Sequence, residues 1–166
     1  PYMIVGSYAS SYYGHPRATN DAALFLLWQP QNIDAFVAKL GADFYADAQD
    51  IKDSLREQRM SNIIHLPTGF KVDLSPVGQE TFYRQAFARR KAGKLLGETV
   101  YFASAEDIIL MKLLWAKQSE SARQIEDAHG IFKVQGNALD KNYLKMWAQE
   151  LSLFELLKNK VFMEQW

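Results

Sequence analysis

Residues 3–28 read "MIVGSYASSYYGHPRATNDAALFLLW", and the organisation of the chain turns on them. A hydrophobic run stops at Gly6-Ser7, passes through a loop containing Gly14, Pro16 and Arg17, and resumes after Asp21 as a second hydrophobic run. Residues 2–5 and 22–28 carry β-prone side chains without helical spacing, so both read as strands. Between them "SYASSYYG" is long enough for two helical turns, and "GHPRATN" is a loop. A Gly-Ser pair between a strand and a helix N-terminus offers free amides and a hydroxyl, a cradle suited to phosphate. In the second strand the side chains alternate, which puts Asp21, Ala23 and Phe25 on one face and Ala22, Leu24 and Leu26 on the other. "FKVDLS" further along repeats the pattern, with Lys71, Asp73 and Ser75 opposite Val72 and Leu74. A neighbouring strand would bring Asp73 to Asp21.

Composition sets the bounds. The 166 residues, 48% of them hydrophobic, suffice for a buried core in one small α/β domain with appended helices. Nineteen basic residues balance nineteen acidic ones, so net charge gives no general attraction to nucleic acid or to an acidic membrane. The local excess is "TFYRQAFARRKAGK", residues 81–94, with Arg84, Arg89, Arg90, Lys91 and Lys94 and no acid. Such a run could meet a polynucleotide or a triphosphate, although a solvated helix face is the commoner use. Cysteine is absent, which removes disulfides and thiolate metal sites and suits a cytoplasmic setting. No apolar run approaches a membrane span and no signal-peptide pattern is present. Because the chain begins at Pro1 and enters a strand almost at once, its native N-terminus is expected upstream.

Downstream, Asn32 is placed to cap a helix through Gly41, since Ile33, Phe36, Val37 and Leu40 fall at helical spacing. A strand near 43–45 and a helix over 48–59 follow. "SNIIHLPTGFKVDLSP" reads as two strands about a Pro67-Thr68-Gly69 turn. Residues 78–92 read as a helix carrying the basic cluster, and 99–102 as a strand. The remainder is helical, over 104–117, 121–135, 140–150 and from about 153, with Ser104 and Asp107 resembling a capping box and Gly136 closing the second. His15, His65 and His129 show no ligand spacing, so zinc is not expected.

Gly6-Ser7, thirteen intervening residues, Asp21 and the later "VDL" at Asp73 together resemble the nucleotidyltransferase superfamily related to DNA polymerase beta. The opening is similar to small bacterial members, including minimal nucleotidyltransferases and those of toxin–antitoxin modules. "SAEDIILMKLLWAK" and "RQIEDAHGIF" are similar to later segments of that group, so the likeness runs from about Met3 to Phe154. It implies an α/β fold, a short mixed sheet flanked by helices, divided as a core over 1–103 and a C-terminal helical extension over 104–166 packed on it. It also implies transfer of a nucleoside monophosphate from a nucleoside triphosphate, with Mg2+ or Mn2+, to an acceptor that is RNA, protein or a small molecule.

In that scheme Asp21 and Asp73 are catalytic and hold metal, because paired magnesium ions need several hard carboxylate oxygens. Gly6, Ser7 and Arg17 hold phosphates, while Lys112 and Asp127 line the nucleotide pocket. Lys112 shares a helix face with Ile108 and Trp115, so its ammonium must reach solvent or an anion, and a structural ion pair with Asp127 is the competing reading. The departure from the family pattern is Ala23, where a second carboxylate would bridge two metals. Weakening support at a metal site costs about 10 to 100-fold, so activity is expected to be reduced or lost. Ala23 fits either an engineered removal or a natural loss. A pseudoenzyme or interaction module with a partner protein, such as a toxin–antitoxin component, is the alternative function, and a structural α/β protein without a nucleotide site is the third.

Overall fold

Strand alternation organises the first half of the chain in the computed structural model, which describes residues 1–162. In chain order the elements are β1 (Tyr2–Val5), α1 (Gly6–Tyr13), β2 (Asp21–Leu26), α2 (Ile33–Lys39), β3 (Phe44–Tyr45), α3 (Ala48–Glu57), β4 (Ser61–His65) and β5 (Phe70–Pro76). Then come α4 (Thr81–Ala88), β6 (Lys91–Leu95), β7 (Glu98–Phe102), α5 (Ala105–Ser119), α6 (Ala122–Gln135), α7 (Lys141–Glu150) and α8 (Phe154–Leu157), with a π-helical turn over Lys158–Phe162. Contacts divide the chain into two units. The first is Pro1–Val5 with Thr19–Phe102, and the second is Gly6–Ala18 with the residues from Ala103 onward. Helix α1 therefore groups with the C-terminal helices.

The first unit is built on a seven-stranded mixed sheet of order β3-β4-β5-β2-β1-β7-β6. β2 runs parallel to β5 and β1 parallel to β7, and the other pairings are antiparallel. Because side chains alternate, one face collects Leu26, Ile63 and Leu74, which close on Ile33 of α2 and Ile51 of α3. Full burial of each such side chain stabilises by about 1.5–3 kcal/mol, so this layer fixes which way β2 and β5 face. Asp47 anchors α3 by accepting from the amides of Gln49 and Asp50 at 2.8 and 3.0 Å.

Two local expectations change. Asn32 makes no side-chain cap, because a 3₁₀ turn over Pro30–Asn32 leads straight into α2. The helix expected over 78–92 is shorter. It spans Thr81–Ala88, and the chain then re-enters the sheet as β6, which pairs with β7 about a Leu96-Gly97 turn. Of the five basic residues only Arg84 lies on the helix. Arg90 instead donates to the Phe87 carbonyl at 2.8 Å and stacks its guanidinium 4.5 Å from the Phe87 ring centre, so part of the cluster's charge serves the fold.

The second unit packs α5 against α6 and α1. Buried acids at its base are satisfied: Asp107 accepts from the Ser104 and Tyr143 hydroxyls at 2.7 and 2.6 Å, and Glu106 accepts from the Asp140 amide at 3.0 Å. Asp140 in turn caps α7 through the Tyr143 amide at 2.9 Å. Gly14, just after α1, lies against the α6 backbone so closely that a Cβ would stand 2.8 Å from the Ile131 nitrogen. No helix among the described residues is long and apolar enough to cross a membrane.

Candidate functional site

In the first unit the candidate site is the face of β2 and β5 opposite the apolar layer. The parallel register makes Asp21 the partner of Lys71 and Ala23 the partner of Asp73, so Asp21, Ala23, Lys71 and Asp73 share one face. The two acids differ in setting. Asp21 is exposed, and its Oδ1 accepts from the Thr19 hydroxyl at 2.7 Å. Standing at the strand's first position, it is solvated by water and needs no buried partner. Asp73 is 13% exposed, and its Oδ1 has Lys71 Nζ 3.0 Å away. The ammonium is in ion-pair range but off hydrogen-bond alignment, so this buried oxygen keeps no hydrogen-bond donor.

An oxygen left in that condition is a donor atom available to a hard cation. Among the described residues no group of three or more His, Asp or Glu side chains gathers into a metal cluster, and Ala23 presents only a methyl beside Asp73. Asp21 and Asp73 are the carboxylates of this face that would hold a divalent ion. They do not supply the bridging ligand of a two-ion site. An open depression of about 720 Å³ lies at the start of these strands, lined by Asn20, Phe44, His65, Thr68, Gly69 and Phe70.

In the second unit the remaining candidates converge. Gly6 opens α1 at φ 66°, a left-handed conformation that a side chain would strain, and Ser7 follows in the first turn. Arg17 donates through Nη2 to the Ser7 hydroxyl at 2.6 Å. The same guanidinium donates through Nε and Nη2 to the two oxygens of Asp127 at 3.0 and 3.1 Å. Lys112, 1% exposed on α5, donates to Asp127 Oδ2 at 2.7 Å and lies 5.8 Å from the Trp115 ring centre. Asp127 thus holds two cations. Burial pushes its carboxyl up, yet the hydrogen bonds and charges of Arg17 and Lys112 outweigh this and leave its pKa below the usual aspartate value.

The Lys112–Asp127 ion pair is present, and Arg17 orients its loop through Asp127 while keeping contact with Ser7. Lys71 was visible in the alternation of "KVD" but was given no role. The signal for it was there, a cation two residues before a candidate ligand on the same strand.

No protein-family model and no curated protein sequence matches the chain. Solved structures do match it. An antigenic nucleotidyltransferase-like protein from Paracoccidioides brasiliensis is 18% identical with a TM-score of 0.57, over 97% of this chain and 84% of that one. The antibiotic-resistance factor ANT(2'')-Ia is 12% identical with a TM-score of 0.53, over 94% of this chain and 86% of that one. With a seven-stranded mixed sheet on which Asp21 and Asp73 share one face of adjacent strands, the chain has a nucleotidyltransferase-like fold.

Proposed function

We propose that the chain binds a nucleoside triphosphate together with Mg2+ or Mn2+, and transfers its nucleoside monophosphate to an acceptor at a rate much reduced by Ala23. The observation that carries this reading is the parallel register that sets Asp21 and Asp73 on one face of adjacent strands. Those two acids hold the metal. A bound divalent ion supplies Lewis acidity toward the phosphates. Within the second unit the α1 amides after Gly6 and the Ser7 hydroxyl form an anion cradle, and Arg17, fixed by Asp127, adds positive charge beside Ser7. Lys112 supports the same group by holding Asp127.

The reaction joins an acceptor oxygen to the α-phosphorus as the bond to pyrophosphate breaks, and Asp73 favours loss of the acceptor's proton. The depression lined by Phe44, His65 and Phe70 is the space for the acceptor. A small molecule fits that volume, in keeping with the antibiotic-resistance factor among the structural neighbours. RNA and protein acceptors differ in that they would need further surface. A cytoplasmic setting suits a chain without cysteine.

A second reading is nucleotide binding without turnover, with a partner protein as the readout. Ala23 beside Asp73 favours it, since the bridging carboxylate is missing where chemistry needs it. Calorimetric titration with ATP, GTP, CTP and UTP, each with Mg2+ or Mn2+, tests the shared core of both. Binding of at least one is expected, and binding of none would remove both. Label transfer from a bound triphosphate separates the two.

A further inference from the structure

We propose that the Lys71 ammonium is a resident cation of the carboxylate face, competing with divalent metal for Asp73, so that metal enters only as Lys71 swings away. The inference rests on the reading of Asp73 as a metal ligand and goes beyond it by naming what regulates that ligand. Nζ stands 3.0 Å from Asp73 Oδ1. A magnesium ion sits about 2.0–2.1 Å from its oxygens, so ion and ammonium cannot both serve this atom without close like-charge contact.

Two features make Lys71 a displaceable occupant and not a fixed brace. Its contact with Asp73 is off hydrogen-bond alignment, and its side chain remains 40% exposed on a flexible four-carbon stem. The charges on this face are Asp21, the register partner of Lys71, and Asp73. With a third carboxylate the face would carry a net charge of −2, lysine included, against −1 with Ala23, and would draw a divalent ion past the lysine more strongly. With Ala23 it carries two acids and one ammonium, a balance that favours leaving Lys71 in place.

Mn2+ alone, without nucleotide, is the probe. Its free concentration is followed by electron paramagnetic resonance during titration into the wild-type chain, Lys71→Gln, Lys71→Arg, and the double variant Lys71→Gln with Asp73→Asn. Lys71→Gln is expected to bind at least about tenfold more tightly than wild type, the size of a single supporting contact at a metal site. Lys71→Arg stays weak, and the double variant loses the gain. Equal affinity of wild type and Lys71→Gln, or a gain that survives Asp73→Asn, overturns the proposal. A second measurement uses the native chain: saturating Mg2+ is expected to shift the Lys71 Cε–Hε nuclear resonance, and an unmoved signal overturns it as well. Because no nucleotide is present, failure here is separate from failure of the triphosphate reading, which the calorimetric titration decides.

Discussion

Ala23 and Asp73 are register partners across the parallel pairing of β2 with β5, a methyl facing the same side as a partly buried carboxylate. Restoring a carboxylate by Ala23→Asp adds a third hard ligand to that face. Incubation with labelled triphosphates and candidate acceptors is expected to give label transfer at least about tenfold above the alanine chain. The gain should vanish with Asp73→Asn. Transfer by the alanine chain at the restored rate would show that position 23 holds no ligand.

Lys112 is almost wholly buried and pairs with Asp127, which also pairs with Arg17. The two single substitutions should therefore be unequal. Asp127→Ala removes the carboxylate that neutralises a buried ammonium and should cost about 3–5 kcal/mol in urea unfolding. Lys112→Met removes the buried charge itself and leaves Asp127 its arginine, so its cost should be clearly smaller. A larger loss for Lys112→Met would mean that the pair is not what the buried lysine needs.

Acid should weaken the same cluster. Asp127 has its pKa lowered in the folded chain, because the hydrogen bonds from Arg17 and Lys112 more than offset burial. A depressed carboxyl binds its proton more readily when unfolded. Its contribution is thus complete above the unfolded value of about 3.9 and is lost as pH falls through the lower folded value. Unfolding midpoints from pH 7 down to pH 2 should show wild type converging on Asp127→Asn in acid. A gap that persists unchanged would exclude a depressed carboxyl.

Gly14 permits the close approach of the α1 exit to α6, where an added Cβ would meet backbone at 2.8 Å. Backbone cannot rotate aside, so Gly14→Ala should destabilise by about 1–3 kcal/mol. Gly41, around which no atom lies within 4 Å of a built Cβ but whose φ is +76°, is a useful contrast. Its alanine variant pays only the backbone strain of that conformation, about 1 kcal/mol. Equal denaturation midpoints for the two variants would argue against the steric account.

Much of the sheet was readable because β2, β4 and β5 alternate, and alternation survives any tertiary context. The separation of Asp21, Lys71 and Asp73 from Leu26 and Leu74 follows from it directly. β6 was not readable. Its sequence "KAGKL" has no alternating apolar face and follows helix-formers, so only pairing with β7 makes it a strand. Ser7, Arg17 and Asp127 could be nominated singly by resemblance, but their hydrogen bonds join residues 10 and 110 positions apart. No local pattern encodes such a meeting.

The opposed charges on alternate positions of β5 also guard the alignment of the sheet. A slip of one residue against β2 would turn Lys71 and Asp73 into the layer of Leu26, Ile63 and Ile51 and bring Val72 and Leu74 out to water. Misaligned pairings are thereby penalised twice, so the side chains nominated for chemistry double as proofreaders of strand assembly.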